Sequence, residues 1–421
     1  MFETLRNAWK LPELRKKLMF TALVLLLYRI GNVIPVPYVN VDALKSMFDT
    51  VLGDTILGLY NAMSGSAFSQ ATVLALSIQP YINASIIIQL LTVAIPALER
   101  MAKEEGEEGK KKINVITRCT TVALGLIMGW AFYSMLNGYG IITKTGFLPG
   151  LVIVLAFTAG SAVVMWLGEQ INEFGIGNGI SMILFANIIS GLPSGLSRML
   201  GMGWWAILVA IVMVALVLFI IFVNDAERRI PIQYAKRVVG RKIYGGQSTN
   251  LPIKVSMSGV MPVIFAQSIC SFPATICAFF GITGQSGKWW FDVFFSNTSW
   301  FYAFMYFIMI FFFGWFYAAI QYDPVEIANN LKKNGGFIPG FRPGKPTAEF
   351  IKKVINKIVI FGAVYLAIVA LLPIIAGHFM TSVNTLAIGG TSVIIVVGVA
   401  LETVKALEAQ MLMRHYKGFL D

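Results

Sequence analysis

Residues 204–223 read WWAILVAIVMVALVLFIIFV, twenty in a row without a charge, an amide or a hydroxyl. As a helix this run is about 30 Å long, the thickness of a bilayer's hydrocarbon core. A helix that is apolar on every side is either the heart of a very large domain or a membrane span. Nine further stretches of roughly 20 mostly apolar residues, punctuated by Pro, Gly and charge clusters, settle the choice for lipid. They lie near 18–35, 72–95, 115–136, 149–169, 179–196, 256–278, 301–321, 355–375 and 384–405. Composition agrees, since 57% of the 421 residues are hydrophobic and 13% charged. Soluble domains sit nearer to about a half and a quarter. The expected fold class is an all-α polytopic membrane protein of about ten transmembrane helices. An even number places both termini on one side.

Charge supports that topology. With the N-terminus on the cytoplasmic side, 28 of the 33 basic residues lie in or beside the cytoplasmic segments, Lys45, Lys144, Arg198 and Lys288 lie in external loops, and Arg29 sits within the first span. That asymmetry is the positive-inside pattern. The N-terminal basic stretch Arg15–Lys17 precedes an apolar run, but Arg29 interrupts the run and no small-residue cleavage site follows, so the segment reads as a retained first span. Cys119, Cys270 and Cys277 lie within apolar segments at spacings that suit neither a disulfide framework nor a metal, and read as small buried hydrophobes.

Two loops on the basic side are long. Residues 224–254 alternate β-formers with charges around Gly240, as a hairpin projecting into water would. Residues 321–350 read as a short amphipathic helix followed by a loop stiffened by Pro339, Pro343 and Pro346. Charge alone leaves two roles open: fixing topology against anionic headgroups, or docking a partner with an anionic surface such as a ribosome or an acidic protein. Between the first two spans, GDTILGLYNAMSGSAFSQ at 53–70 is apolar but too short to cross, and suggests a re-entrant half-helix.

Motifs mostly exclude. GIGNGIS at 175–181 lacks the spacing and the strand–helix context of a dinucleotide loop and reads as an interhelical turn; GLPSG at 191–195 is not a nucleophile elbow. The histidines His378 and His415 sit near a helix end and in the tail, and Arg29, Glu169 and Glu402 also fall near helix ends. An intramembrane hydrolase wants a buried acid–base pair, and a secondary transporter wants ionisable groups at mid-membrane. The span interiors carry amides and hydroxyls instead, in LALSIQPYINASIIIQLL (74–91) and AQSICSFPATIC (266–277). These groups fit either interhelical hydrogen bonding or a face that meets water part of the time. Ile78 and Ile82 share a helical face, as do Ile180 and Leu184. Periodicity reads them as packing residues, while apolar residues at the centre of a pore would exclude ions by dewetting.

Several long stretches carry a resemblance: PYINASIIIQLL (80–91), MWLGEQINEFGIGNGIS (165–181), RRIPIQYAKR (228–237), QSTNLPIKV (247–255), GVMPVIFA (259–266), ANNLKKNGGFIPGFRPG (328–344) and GGTSVIIVV (389–397). Through them the chain resembles the SecY family, channel subunits of the bacterial protein translocase, over nearly its whole length. The resemblance implies two inverted five-helix halves, residues 1–196 and 197–421, around an hourglass pore. It implies a constriction ring of Ile78, Ile82, Ile180, Leu184, Ile264 and Ile395, with Leu184 replacing a common isoleucine at equal volume. It implies a re-entrant plug near Leu57 to Phe68, with Leu57, Leu59, Tyr60, Asn61, Ser64 and Gly65 as its residues. A lateral gate between helices two and seven, with three and eight, would carry Asn83, Ile86, Gln89, Gln267 and Ser271; Ser256 stands where the family often has Asn. Arg237, Arg241, Lys242 and Arg342 would meet the motor ATPase SecA or the ribosome. The resemblance further implies SecE and SecG subunits, signal peptides and nascent chains as cargo, contact with membrane lipid, a possible homodimer of the complex, no cofactor, and residence in the bacterial plasma membrane with both termini cytoplasmic.

Overall fold

The computed structural model describes residues 2–48, 56–200, 204–234, 237–239, 242–244, 248–256, 259–279, 299–379 and 390–417. The run that constrains the chain most forms α10, Trp204–Asp225, whose apolar surface faces largely outward, as lipid-facing surface would. Helices also stand at the other expected spans: α2 (Pro12–Gly31), α5 (Gln79–Ala94), α7 (Gly106–Gly138), α8 (Phe147–Phe174), α9 (Gly179–Leu200), α11 (Met261–Phe279), α12 (Trp300–Gln321), α14 (Lys345–Phe379) and α15 (Gly390–Lys417). Short helices fill in as α1 (Phe2–Lys10), α3 (Val41–Met47), α4 (Ile56–Met63), α6 (Pro96–Lys103) and α13 (Pro324–Lys333). Among the described residues, six helices are long and apolar enough to cross a membrane, and the pair Gln79–Ala94 and Pro96–Ala102, bent by 105°, makes a seventh if it is one span. The other three expected spans fall short of that test. Helix α2 carries Arg15, Lys16, Lys17 and Arg29; the described part of α11 is short; α15 runs on into a charged end with Glu402, Lys405 and Glu408.

Two expected boundaries move. The second span begins at Gln79 rather than near residue 72, and the half-helix expected to reach Phe68 stops at Met63. Between them the backbone turns repeatedly, with Gly65, Ser66, Ala71 and Ser77 at positive φ, a region that costs an ordinary residue about 1–2 kcal/mol. Such irregular backbone survives at membrane depth only when protein satisfies it. Here it does: Val36 N donates to Ala71 O and Val73 N to Ile34 O, both at 2.9 Å, while Pro80 in the first turn of α5 sets where regular helix resumes.

The large core draws on α2, α5, α8, α9, α10, α11, α12, α14 and α15. A second cluster around Phe68, Phe132 and Phe157 supports the turned segment, with the Phe68 and Phe132 rings stacked at 4.2 Å. Against the ends of α12 and α14, the described residues of the 224–254 loop fold as the expected hairpin. Strand β1 (Glu227–Tyr234) pairs antiparallel with β4 (Ser248–Lys254), and β2 (Arg237–Val239) pairs with β3 (Lys242–Tyr244) at its far end. Strand β5 (Gly336–Phe337) adds to the other edge of β1, with Gln233 opposite Phe337, and so joins both long loops in one sheet. Ile230, Ile232, Leu331, Ile338 and Ile351 bury a shared core beneath it.

Candidate functional site

The six ring residues come from four helices and meet. Ile78, Ile82, Leu184, Ile264 and Ile395 are each within 1% of full burial in one apolar cluster, and half-buried Ile180 packs against it. Local structure explains how α9 delivers its pair. In the turn before α9, Asn172 Oδ1 accepts from Gly179 N at 2.7 Å, Asn178 Oδ1 accepts from Ile180 N at 3.0 Å, and Thr21 of α2 accepts from Ile176 N at 3.2 Å. At Gly179 an added Cβ would lie 1.9 Å from Gly168 O, so glycine lets α9 start directly against α8. The GIGNGIS turn is therefore a positioning device for Ile180 and Leu184. The resulting layer presents aliphatic carbon and no hydrogen-bonding side-chain group, so its side chains offer no partner to water or an ion.

Next to this layer lies a polar one, built around the end of α4. Tyr60 OH donates to Leu76 O at 3.4 Å, Asn61 Oδ1 accepts from Ser69 N at 2.9 Å, and Ser64 Oγ accepts from Phe68 N at 3.2 Å. Leu57 and Tyr60 are buried in the second cluster, and Leu59 lies in the same helix. Gly65, at φ +66, admits no side chain cheaply: a Cβ there would lie 2.9 Å from Arg29 Nη1 and 3.0 Å from both Asn187 Oδ1 and Ser190 Oγ. Met63, in the ring's own cluster, takes hydrogen bonds from three helices. Its Sδ accepts from Gln79 Nε2 and Gln267 Nε2, and its carbonyl from Asn187 Nδ2. Asn187 also donates to Ser77 Oγ at 3.2 Å, and Tyr28 OH shares that hydroxyl at 3.1 Å.

The expected gate residues divide. Asn83 and Ile86 are buried on α5, and Gln267 is buried on α11, which packs against α5 and α7. Ser271 instead bonds within its own helix, to Ser268 O at 3.2 Å. Gln89 is half-buried: its Nε2 donates to Ser85 Oγ at 3.2 Å, and its Oε1 accepts from Tyr317 OH of α12. Ser256 sits just before α11 with its hydroxyl buried and unpartnered among the described residues, beside a small cavity lined by Gly314, Ala318, Gly362 and Ala363. Sequence reasoning did not select Met63, Gln79, Asn187, Ser268 or Tyr317 as site residues. The glutamine was visible as an amide inside an apolar run; a thioether and a lone tyrosine among aromatics carry no such signal.

Of the basic residues expected at a partner surface, Arg237 lies in β2, Lys242 in β3, and Arg241 outside the described residues. Arg342 is exposed in the loop after β5, its carbonyl accepting from Thr347 Oγ1 at 2.8 Å. The three-stranded sheet thus carries the β2–β3 tip and the Arg342 loop on one folded base.

Comparison with known proteins identifies the family and the fold. A family model described as SecY matches residues 72–404. The protein translocase subunit SecY of Streptomyces coelicolor is 44% identical over 440 residues, covering 100% of both chains. That of Thermotoga maritima is 40% identical, covering 100% of this chain and 98% of its own. A structure titled "The structure of a protein conducting channel" superposes with a TM-score of 0.64 at 19% identity over 94% of this chain and 92% of the other. Sec61 in the canine ribosome–channel complex from the endoplasmic reticulum gives 0.60 at 17%, with the same coverages.

Proposed function

This chain belongs to the SecY family, and from that premise we propose that it is the protein-conducting subunit of a translocase, which passes unfolded secretory proteins across the membrane and releases transmembrane segments sideways into lipid. The observation that carries the reading is the single dry cluster in which Ile78, Ile82, Leu184, Ile264 and Ile395 meet, with Ile180 and the end of the α4 helix against it. A layer that seals by apolar contact alone can part around a polypeptide of any sequence and close again, because nothing in it forms a bond specific to the cargo. The rival reading of a small-solute transporter falls with the family match. In our reading the protein is a passive channel and not an enzyme, with energy supplied by a partner.

The remaining assignments follow on the same terms. Residues 1–196 and 197–421 are the two halves of the clamshell; α4 and the turns after it are the plug; α5 and α11, with α7 and α12, form the lateral gate. The chain is multi-pass in a bacterial plasma membrane with both termini cytoplasmic. SecE and SecG complete the complex, which assembles as a homodimer in one further reading, and the two-loop sheet with Arg237, Arg241, Lys242 and Arg342 receives SecA or the ribosome. The basic residues gathered on the β2–β3 tip and the Arg342 loop support a macromolecular partner over a lipid headgroup.

The decisive experiment stalls a secretory precursor in transit and asks what it touches. Photo-crosslinkers at Ile78, Ile82 and Ile264 should capture the precursor; capture only from outward-facing positions such as Phe222 would defeat the pore. Arg342→Glu should depress motor-driven secretion more than membrane-protein insertion, measured side by side in inverted vesicles. Equal loss of both would mean that the substitution disturbs the fold.

A further inference from the structure

Met63 ends α4 where elements from opposite sides of the proposed pore approach. Its Sδ accepts from Gln79 Nε2 of α5 at 3.5 Å and from Gln267 Nε2 of α11 at 3.3 Å, and its carbonyl oxygen accepts from Asn187 Nδ2 of α9 at 2.8 Å. Ser268 Oγ of α11 donates to Gln79 Oε1 at 3.5 Å, so α5 and α11 are also joined directly. All the side chains involved are buried: Met63 6%, Gln79 5%, Gln267 2%, Ser268 2% and Asn187 0% exposed. A thioether is a weak acceptor, and two amide donors aimed at one sulfur in a dry layer are an arrangement of last resort. It holds only while α5 and α11 are close enough to share the sulfur. When they part, one glutamine or both must leave Met63, and the Ser268–Gln79 bond goes with them.

We propose that Met63 is the positioning residue that couples the gate to the plug: its thioether is a two-donor latch that fastens α4 across the gate only while α5 and α11 are together. This rests on the channel reading above. Gln79 and Asn187 both belong to the N-terminal half, as Met63 does, so when α11 withdraws the end of α4 loses the Gln267 bond that spans the gate and stays attached to its own half. A polypeptide that wedges between α5 and α11 frees the plug without touching it.

The test uses the full translocase, purified with its partner subunits and reconstituted in planar bilayers. Met63→Leu keeps the volume of a swap that cores tolerate and removes only the acceptor. Resting ion conductance should rise about tenfold, the size expected when buried donors lose their partner. Gln79→Leu with Gln267→Leu removes the donors instead and takes the partner of Ser268 with them; it should raise conductance in the same direction, and the triple variant should rise no further than Met63→Leu alone. If Met63→Leu does not accumulate, the glutamine pair carries the same expectation. Wild-type conductance in Met63→Leu, while Ile82→Gly with Ile180→Gly leaks, overturns the latch and leaves the channel standing. An additive triple variant also overturns it, since Met63 would then act apart from the glutamines. A ring variant that does not leak overturns the channel reading and the latch with it.

Discussion

Two layers lie against each other at the centre of this molecule and use their side chains in opposite ways. The ring layer is aliphatic, drawn from four helices, and makes no directional bond. The layer beside it, around Met63, is built on directional bonds from Gln79, Gln267 and Asn187, while Asn187 Oδ1 and Gln267 Oε1 are buried without a partner among the described residues. Dispersion and dewetting act over area and survive a change of shape; a buried hydrogen bond survives only with its partner in place. The first layer therefore suits a seal that must stretch and re-form. The second suits a lock that must be either made or broken.

The sharpest way to break the contrast is to hollow out the ring. Ile82→Gly with Ile180→Gly removes aliphatic mass from two sides of the cluster, where deleting a buried side chain costs about 2–5 kcal/mol. The resting channel should leak ions in planar bilayers even with the polar layer intact. Unchanged resting conductance would count against the ring as the seal and against the channel reading built on it. Second in size is Gly65→Val. A β-branched residue at φ +66, with its Cβ within 3.0 Å of Arg29, Asn187 and Ser190, combines a cost of about 1–3 kcal/mol in backbone strain with crowding. The plug should unseat, read as faster proteolysis or cysteine labelling within residues 56–70, while the ring's six residues are untouched.

What the sequence disclosed follows the same division. Uniform apolarity is legible: 204–223 is visible as a span at sight, and Trp204–Asp225 is one helix. The basic hairpin is legible too, because Ile230 and Ile232 alternate with Arg229, Pro231 and Gln233 at the period of a strand. Residues 64–78 were not, because ATVLALSI has the look of continuing helix and its turns depend on bonds to residues 34 and 36 and on the Phe68 stack. Ring membership came from the resemblance to a family; spacing alone paired Ile78 with Ile82 and Ile180 with Leu184 but could not bring the pairs together. Met63 stayed hidden because its role depends on two amides 16 and 204 residues away.

A smaller effect is expected at a second polar contact between α5 and the C-terminal portion. Tyr317 OH donates to Gln89 Oε1, ten residues along α5 from Gln79, which is about 15 Å of helix. Tyr317→Phe keeps the ring and removes one hydrogen bond, a loss of about 1 kcal/mol, or about fivefold in the balance between closed and parted gate. Disulfide trapping between a cysteine at Ile86 and cysteines along α11 should slow by that order. Trapping at the wild-type rate would leave the Met63 layer as the sole polar fastening between α5 and the C-terminal helices that this pair of measurements can detect.

The smallest change should do nothing measurable, and that is its value. Leu184→Ile moves one methyl group within the apolar cluster that Leu184 shares with Ile78, Ile82, Ile264 and Ile395. Volume is conserved, so the cost should stay below about 1.5 kcal/mol. If the ring seals by apolar contact without directional bonds, resting conductance and export should match the parent, because any aliphatic surface of the same size fills the same space. A leak from this swap would show that the ring depends on side-chain shape, one partner at a time, as the polar layer does. The two layers would then differ in chemistry and not in principle. An unchanged channel beside a leaky Met63→Leu, also a volume-conserving swap, locates the specificity of the closed state in its hydrogen bonds.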